Sequence, residues 1–316
     1  MAKKKILICG ASGFIGRNIC ERLSHQANLE LFGTFRRRKP SFSNPGKIKL
    51  IQADLTNPRH VKNLMAGKDV VIQAAATTSG AKDIVTRPYI HIADNAVMNS
   101  LIFRSCYDHG VKHVIFFSCV IMYPERGKPV LESDFNYDII PKYFGAGWTK
   151  VYLEKMCEFY SRLGRSKFTV IRHSNIYGPH DKYDLERAHV FGATIRKVMS
   201  AKEKVVVWGN GEEERDLLYV DDLVSFVECA LRKQKAPFYL VNVGLGKSIS
   251  VLDLVKKIVK HSGRKLKIEL DPSKPTIRYK LALNIRRAKA IYGWKPEISL
   301  DQGIQKTLKW YRANYL

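Results

Sequence analysis

No apolar run in this sequence approaches the roughly 20 residues that a membrane-spanning helix needs, which argues against an integral membrane protein. The opening Met1-Ala2-Lys3-Lys4-Lys5 runs straight into Ile6-Leu7-Ile8-Cys9. That run is too short for the core of a signal peptide and has no cleavage site after it. The six cysteines (Cys9, Cys20, Cys106, Cys119, Cys157, Cys229) lie scattered in apolar segments. They have neither disulfide nor metal-site spacing, so no metal is expected, and a reduced, cytoplasmic setting is. Repeats and low-complexity linkers are also missing. Acidic residues are scarce: 29 Asp and Glu face 54 Lys and Arg, a net charge of +25. Apart from Arg36-Arg37-Arg38-Lys39, the basic residues are spread along the chain. Spread charge reads as solvated surface, and no nucleic-acid-binding module is recognisable. Neither nucleic acid nor membrane is the expected partner.

What is present describes a soluble α/β protein. At 316 residues, the chain suffices for one large domain or a nucleotide-binding domain with a smaller appendage. The first part alternates short apolar runs with helical patterns, the mark of βαβ units and a parallel sheet. Strands are predicted at Lys5–Cys9, Glu30–Phe35, Ile48–Gln52, Val70–Gln73, His113–Phe117 and Phe168–Arg172. Helices are predicted at Phe14–Ser24, Ile90–His109 and Ala146–Leu163. The expected fold is a Rossmann doubly wound parallel sheet over residues 1–175, with a smaller C-terminal α/β substrate-binding region over 176–316. In that region helices at Val190–Ser200, Asp222–Arg232, Val251–His261 and Leu300–Tyr315 alternate with strands at Val205–Trp208 and Tyr239–Val243. Some of this chain is expected to cross back to the sheet.

Gly10-Ala11-Ser12-Gly13-Phe14-Ile15-Gly16 follows the first strand and opens the first helix. Glycines there permit a tight turn and close backbone approach, so that the helix N-terminus can take a pyrophosphate. Gly10, Ser12, Gly13, Phe14, Ile15 and Gly16 are therefore candidate cofactor residues. The second strand ends in Arg36-Arg37-Arg38, and no carboxylate follows Glu30 to accept ribose hydroxyls. Arginines at this place match a 2′-phosphate, which points to NADP(H) rather than NAD. Asp54 and Leu55 should flank the adenine, and Ala74-Ala75-Ala76 are small enough to line the cofactor with backbone.

The GxxGxxG spacing belongs to the short-chain dehydrogenases, and further motifs narrow the likeness. Asn175-Ile176-Tyr177-Gly178-Pro179-His180-Asp181, Val205-Val206-Val207-Trp208-Gly209-Asn210-Gly211 and Arg215-Asp216-Leu217-Leu218-Tyr219-Val220-Asp221-Asp222 carry it. Val241-Asn242-Val243-Gly244 and Asp271-Pro272-Ser273-Lys274-Pro275 extend it. Over nearly its full length the chain resembles the extended short-chain dehydrogenases of the nucleotide-sugar epimerase/dehydratase family, most of all the GDP-L-fucose synthases. That resemblance implies that Lys150 binds the nicotinamide ribose and lowers the pKa of a tyrosine four residues earlier. Here that position is Ala146. The serine or threonine expected at 119 is Cys119, and the epimerising cysteine expected two residues on is Ile121. Ser118 is no ready substitute, because successive strand residues face opposite ways. His189 aligns with the acid of ring epimerisation. By the same resemblance His173, Asn175, Ile176 and His189 line the cofactor, while Asn175, Lys197, Trp208 and Arg215 hold the substrate. The Asp221-Asp222 pair reads as the N-cap of the following helix rather than a catalytic dyad.

The resemblance implies NADPH-dependent reduction of a nucleotide-linked 4-keto-deoxysugar, GDP-linked by preference, in a homodimer joined through the Ile90–His109 and Ala146–Leu163 helices. Ala146 provides no proton, and Tyr143, seven residues before Lys150, is by helical spacing too far away to replace the phenol. Several readings stay open. The preferred one is a reductase or epimerase inactivated at position 146; a nucleotide-sugar 4-epimerase is another. A natural enzyme could use a different acid (His189, Tyr143 or a water), and a non-catalytic NADP-binding regulatory or RNA-binding protein is the alternative of another class.

Overall fold

The structure is a computed structural model that describes residues 2–78, 86–274, 276 and 279–316; Pro275, part of one motif above, lies outside them. Seven strands form one parallel sheet: β1 (Lys4–Cys9), β2 (Leu29–Phe35), β3 (Ile48–Gln52), β4 (Val70–Gln73), β5 (His113–Phe117), β6 (Lys167–His173) and β10 (Phe238–Val243). Their spatial order is β10-β6-β5-β4-β1-β2-β3. The order reverses between β1 and β4, which opens a crevice at their carboxyl ends, where ligands of such sheets bind. β1, β4 and β5 read as unbroken apolar runs because helices cover both faces.

One face packs α1 (Phe14–Leu23) through Ile19 and Leu23, together with α6 (Val220–Lys233) and α8 (Arg286–Tyr292). The other packs α2 (Pro58–Met65), α3 (Ala93–Asp108) and α4 (Phe144–Arg162) through Val61, Leu64, Ile102, Phe103, Leu153 and Cys157. A third core joins α5 (Val190–Ser200), α7 (Val251–Ser262) and α9 (Leu300–Tyr315) to the short strands β8 (Lys204–Trp208) and β9 (Glu214–Tyr219). There β9 pairs with β7 (Asn175–Tyr177), β11 (Ser248–Ser250) and β13 (Lys280–Leu281), while β8 pairs with β12 (Lys267–Asp271).

The later half differs from the sequence reading in several respects. The strand predicted near Tyr239–Val243 is β10, which adds to β6 as the edge of the large sheet. β7, β9, β11, β12 and β13, with the helices α2 and α8, appear in addition to the predicted elements. The Asp221-Asp222 pair does not cap α6, whose N-cap is Tyr219. Asp222 lies in the first helical turn, and its carboxylate accepts the Glu297 and Ile298 N–H groups at 3.0 and 3.1 Å. It fastens the approach to α9.

Candidate active site

The glycine turn sits at the crevice. Gly10 has φ +81°, and a Cβ on it would lie 2.8 Å from the Ala75 backbone. A Cβ on Gly16 would come within 2.2 Å of the Gly10 carbonyl. The loop after β4 therefore closes against the turn and brings the Ala75 backbone to it. Gly13 is the N-cap residue of α1, and no side chain caps the helix there, leaving its first N–H groups for an anion. This cradle fits a dinucleotide pyrophosphate. Ser12 is exposed beside it, while Phe14 and Ile15 pack partly into the core.

Arg36 and Arg37 line a hollow with Gln52, Ala53, Asp54 and His60. Arg36 Nη2 donates to Asp54 at 2.9 Å. Hydrogen bonds from Thr56, aided by Arg36, hold the Asp54 carboxyl below its ordinary pKa. Arg38 is exposed and is not part of this lining. Leu55 is 8% exposed and turned into the core, as is Ile176, so each offers the crevice backbone only.

The next strand end meets α4. Lys150 Nζ donates to the Phe117 carbonyl at 2.8 Å and lies 4.9 Å from the Phe116 ring centroid. Burial presses its pKa down from the ordinary lysine value, and nearby Cys119 and Glu154 push it back. His173 shares this neighbourhood. Its Nδ1 is 2.7 Å from the Ser174 carbonyl, and burial lowers its pKa to about 4. Ala146, one helical turn from Lys150, is half-buried between two glycines. Those glycines are wedged: a Cβ on Gly145 would meet Ile92 at 2.4 Å, and one on Gly147 would meet Ile139 at 2.9 Å.

Cys119 is half-buried, and burial raises its pKa above the ordinary thiol value. Ser118 is 0% exposed and donates its hydroxyl to Glu154 at 2.6 Å, away from the crevice. Tyr143 is the N-cap residue of α4, at the end of a 3-10 turn over Pro141–Tyr143, and its side chain lies near Cys119. Burial raises its pKa, while Arg215 lowers it and Cys119 adds to the rise.

The substrate candidates divide. Arg215 on β9 is half-buried; its Nη1 donates to the Glu214 and Tyr279 carbonyls. Lys197 on α5 lies 4.8 Å from the Trp208 ring centroid and donates to Val206 O at 3.2 Å. Asn175 donates to the Asp216 carbonyl at 3.4 Å. His189 is the exposed N-cap residue of α5, near enough for its charge to act on His173.

Two sets of residues at the site escaped the sequence reading. Gln73, Asn95 and Asn99 hold the loop after β4: Gln73 donates to Ala75 O and Asn99, while Asn95 bonds the Thr77 backbone in both directions. The signal was two asparagines four apart on the apolar α3. Asp216, within a quoted motif, is 1% exposed and accepts the Leu245, Gly246 and Leu283 N–H groups. Its burial raises its pKa to about 6, against those bonds.

A parallel sheet in this strand order, with a glycine turn at its crevice and a lysine-bearing helix at the adjoining strand end, defines a Rossmann-type protein of the short-chain dehydrogenase class. The chain belongs to the NAD dependent epimerase/dehydratase family, whose profile matches residues 6–244. It is 28% identical to the GDP-L-fucose synthase of Escherichia coli (strain K12), over 99% of this chain and 98% of that protein. It is 26% identical to the GDP-L-colitose synthase of Yersinia pseudotuberculosis, over 97% of each. The UDP-glucose 4-epimerase of Thermotoga maritima, solved with UDP-glucose, superposes with a TM-score of 0.87 at 25% identity, covering 98% of this chain and 99% of that one. Among the described residues there is no cluster able to hold a metal ion, and no helix is long and apolar enough to cross a membrane.

Proposed function

We propose that this chain binds NADP(H) and a nucleotide-linked 4-keto-deoxysugar, GDP-linked by preference, as a reductase or epimerase-reductase slowed by the lack of a phenol at position 146. The observation that carries this reading is the Lys150 ammonium fixed at the end of β5, one helical turn from Ala146, in a crevice that Arg215 also borders. When bound, the nicotinamide supplies the hydride; the protein's part is to place the ketone and deliver a proton to its oxygen. Ala146 has no proton to give. Cys119 is a weak donor kept protonated by burial. Tyr143 lies near Arg215 and Cys119, while Lys150 gives its hydrogen bond to the Phe117 carbonyl. The test is a binding and turnover assay with NADPH and GDP-, UDP- and dTDP-linked 4-keto sugars. Binding of both ligands with slow reduction supports the proposal; stabilisation by RNA alone would sink it in favour of the non-catalytic reading.

The choice of NADP(H) is supported by Arg36 and Arg37 in the hollow with Asp54. Charge-assisted hydrogen bonds to a phosphate are worth about 1.5–3 kcal/mol, so Arg37→Ala should weaken NADPH binding roughly 10–100-fold. NADH affinity should stay nearly unchanged. Equal loss for both cofactors, measured by calorimetry, would remove the 2′-phosphate assignment.

A homodimer through α3 and α4 is part of the same proposal. Val97 on α3, Tyr152 and Phe159 on α4, and Leu163 at the end of α4 as its C-cap, are large apolar side chains left exposed. Light scattering should give twice the chain mass, and Phe159→Glu with Tyr152→Glu should give the single chain. A monomeric unaltered protein contradicts it. A reduced, cytoplasmic setting suits the six free cysteines.

A further inference from the structure

We propose that the amino-terminal edge of the large sheet, opposite the crevice, is a docking face for an anionic membrane surface. This concerns where the molecule sits, and it stands apart from the nucleotide-sugar reading. It starts from the net charge of +25, most of which the candidate site leaves unused. In the sequence the lysines are scattered. A parallel sheet, however, starts all its strands on one side and gathers whatever stands there.

Every strand of the large sheet except β2 is entered through lysine. Lys4 and Lys5 open β1, and Lys167 opens β6. Lys47 and Lys112 directly precede β3 and β5, while Lys68 and Lys235 come shortly before β4 and β10. All are exposed except Lys68, which is half-buried. Backbone bonds fix the middle of the row: the Asp69 N–H donates to Lys5 O, the Lys112 N–H to Asp69 O and the Lys167 N–H to Lys112 O, each at 2.9 Å. With neighbouring strands about 4.8 Å apart, the row is roughly 30 Å wide.

The charges are close enough to act on one another. Lys68 and Lys49 lie 4.3 and 5.4 Å from the Phe32 ring centroid. Burial lowers the Lys68 pKa, and the Lys5 and Lys49 ammonium groups add to the effect. Beyond its burial, His113 on β5 is kept unprotonated by Lys4 on one side and Lys167 on the other. Little opposes them. Glu30 on β2 is paired with Lys49 at 2.5 Å, and Asp69 accepts the Lys5 N–H at 2.8 Å. Asp108, at the nearby end of α3, is bound by Arg104. The helices returning to this edge end there, and each offers only about half a negative charge.

The same features choose the partner. Proteins hold nucleic acid with arginines, helix N-termini and aromatic stacking. Here the helices turn their carboxyl ends to the edge, and no Phe, Tyr or Trp lies in the turns leading into these strands. The one arginine of those turns, Arg165, lies over the Tyr107 ring. Lysines on long stems along one edge suit a flat, fluid anionic surface, where each adds a similar increment and no register is needed. Docked so, the molecule turns its crevice to solution.

The experiment is co-sedimentation of the intact protein with vesicles of phosphatidylcholine, and of phosphatidylcholine mixed with phosphatidylglycerol. The protein should bind only the mixed vesicles, and salt at about 1 M, where the screening length falls to about 3 Å, should release it. Lys4→Glu with Lys112→Glu and Lys235→Glu should lower the partition coefficient at least about 100-fold. Lys202→Glu with Lys265→Glu and Lys309→Glu alters three exposed lysines of the smaller region. It changes the net charge equally and should keep most of the binding. Unchanged melting temperatures verify that both variants fold. Equal loss in the two variants overturns the docking face, leaving overall charge as the cause. A protein that ignores the mixed vesicles at low salt overturns it whether or not the variants fold. Retention of RNA by the intact protein, but not by the edge variant, would then make this edge a nucleic-acid face.

Discussion

Ala146→Tyr should raise the rate of NADPH-dependent reduction of a GDP-linked 4-keto-deoxysugar by about 10²–10⁴-fold, the usual worth of a positioned general acid. The surroundings are ready for the phenol. Position 146 lies one helical turn before Lys150, whose ammonium is held by the Phe117 carbonyl. A phenolate there would gain from that charge, so a restored tyrosine should titrate below its ordinary value. Ala146 is only half-buried, which leaves room for a larger side chain, whereas its neighbours Gly145 and Gly147 are packed against Ile92 and Ile139. Following NADPH absorbance distinguishes the cases. Ala146→Phe, which adds the ring without the hydroxyl, should gain nothing. Cys119→Ser in the Ala146→Tyr background should add a further gain, because a hydroxyl donates better than a thiol. If Ala146→Tyr binds both ligands and still turns over no 4-keto-sugar nucleotide, the enzymatic proposal is lost.

The second large effect is on stability. Glu154 on α4 and Arg172 on β6 form an ion pair with side chains 4% and 5% exposed and a 2.6 Å contact. Ser118 donates to the same carboxylate, and Arg172 reaches Tyr123, which in turn donates to Asn242 on β10. Removing one member of a buried pair strands the other charge, at a cost of about 3–5 kcal/mol. Glu154→Ala should therefore lower the melting temperature by on the order of 10 °C. Replacing both partners together, as Glu154→Leu with Arg172→Met, should recover much of that, since the stranded charge is gone. A double replacement as unstable as the single one would show that the network's worth lies in its other bonds. The pair also ties the helix carrying Lys150 to the sheet, so Glu154→Ala should weaken NADPH binding too.

The large sheet was legible in the sequence because its central strands are covered on both faces and read as apolar runs; Val70–Gln73 and His113–Phe117 are found as predicted, and so is the edge strand Ile48–Gln52. The short strands β7 and β11, three residues each, carry no such pattern; distant partners define them. Asp222 illustrates the same limit. Two acids at a helix start suggest a cap, and nothing local shows that one of them instead anchors residues 297 and 298. Ser118 went as expected, since strand alternation alone turns it from the crevice.

The place of β10 at the sheet edge bears on how the molecule is made. Synthesis proceeds from the N-terminus, so the glycine turn and the residues of the other six strands are made before residues 238–243. Until then β6 presents a bare, apolar margin with its ladder groups unpaired, the kind of surface that captures other nascent chains. The intervening segment, which holds the sugar-nucleotide candidates, must be looped out and returned before that margin is sealed. Birth of the smaller region and protection of the large sheet's edge are thus one event.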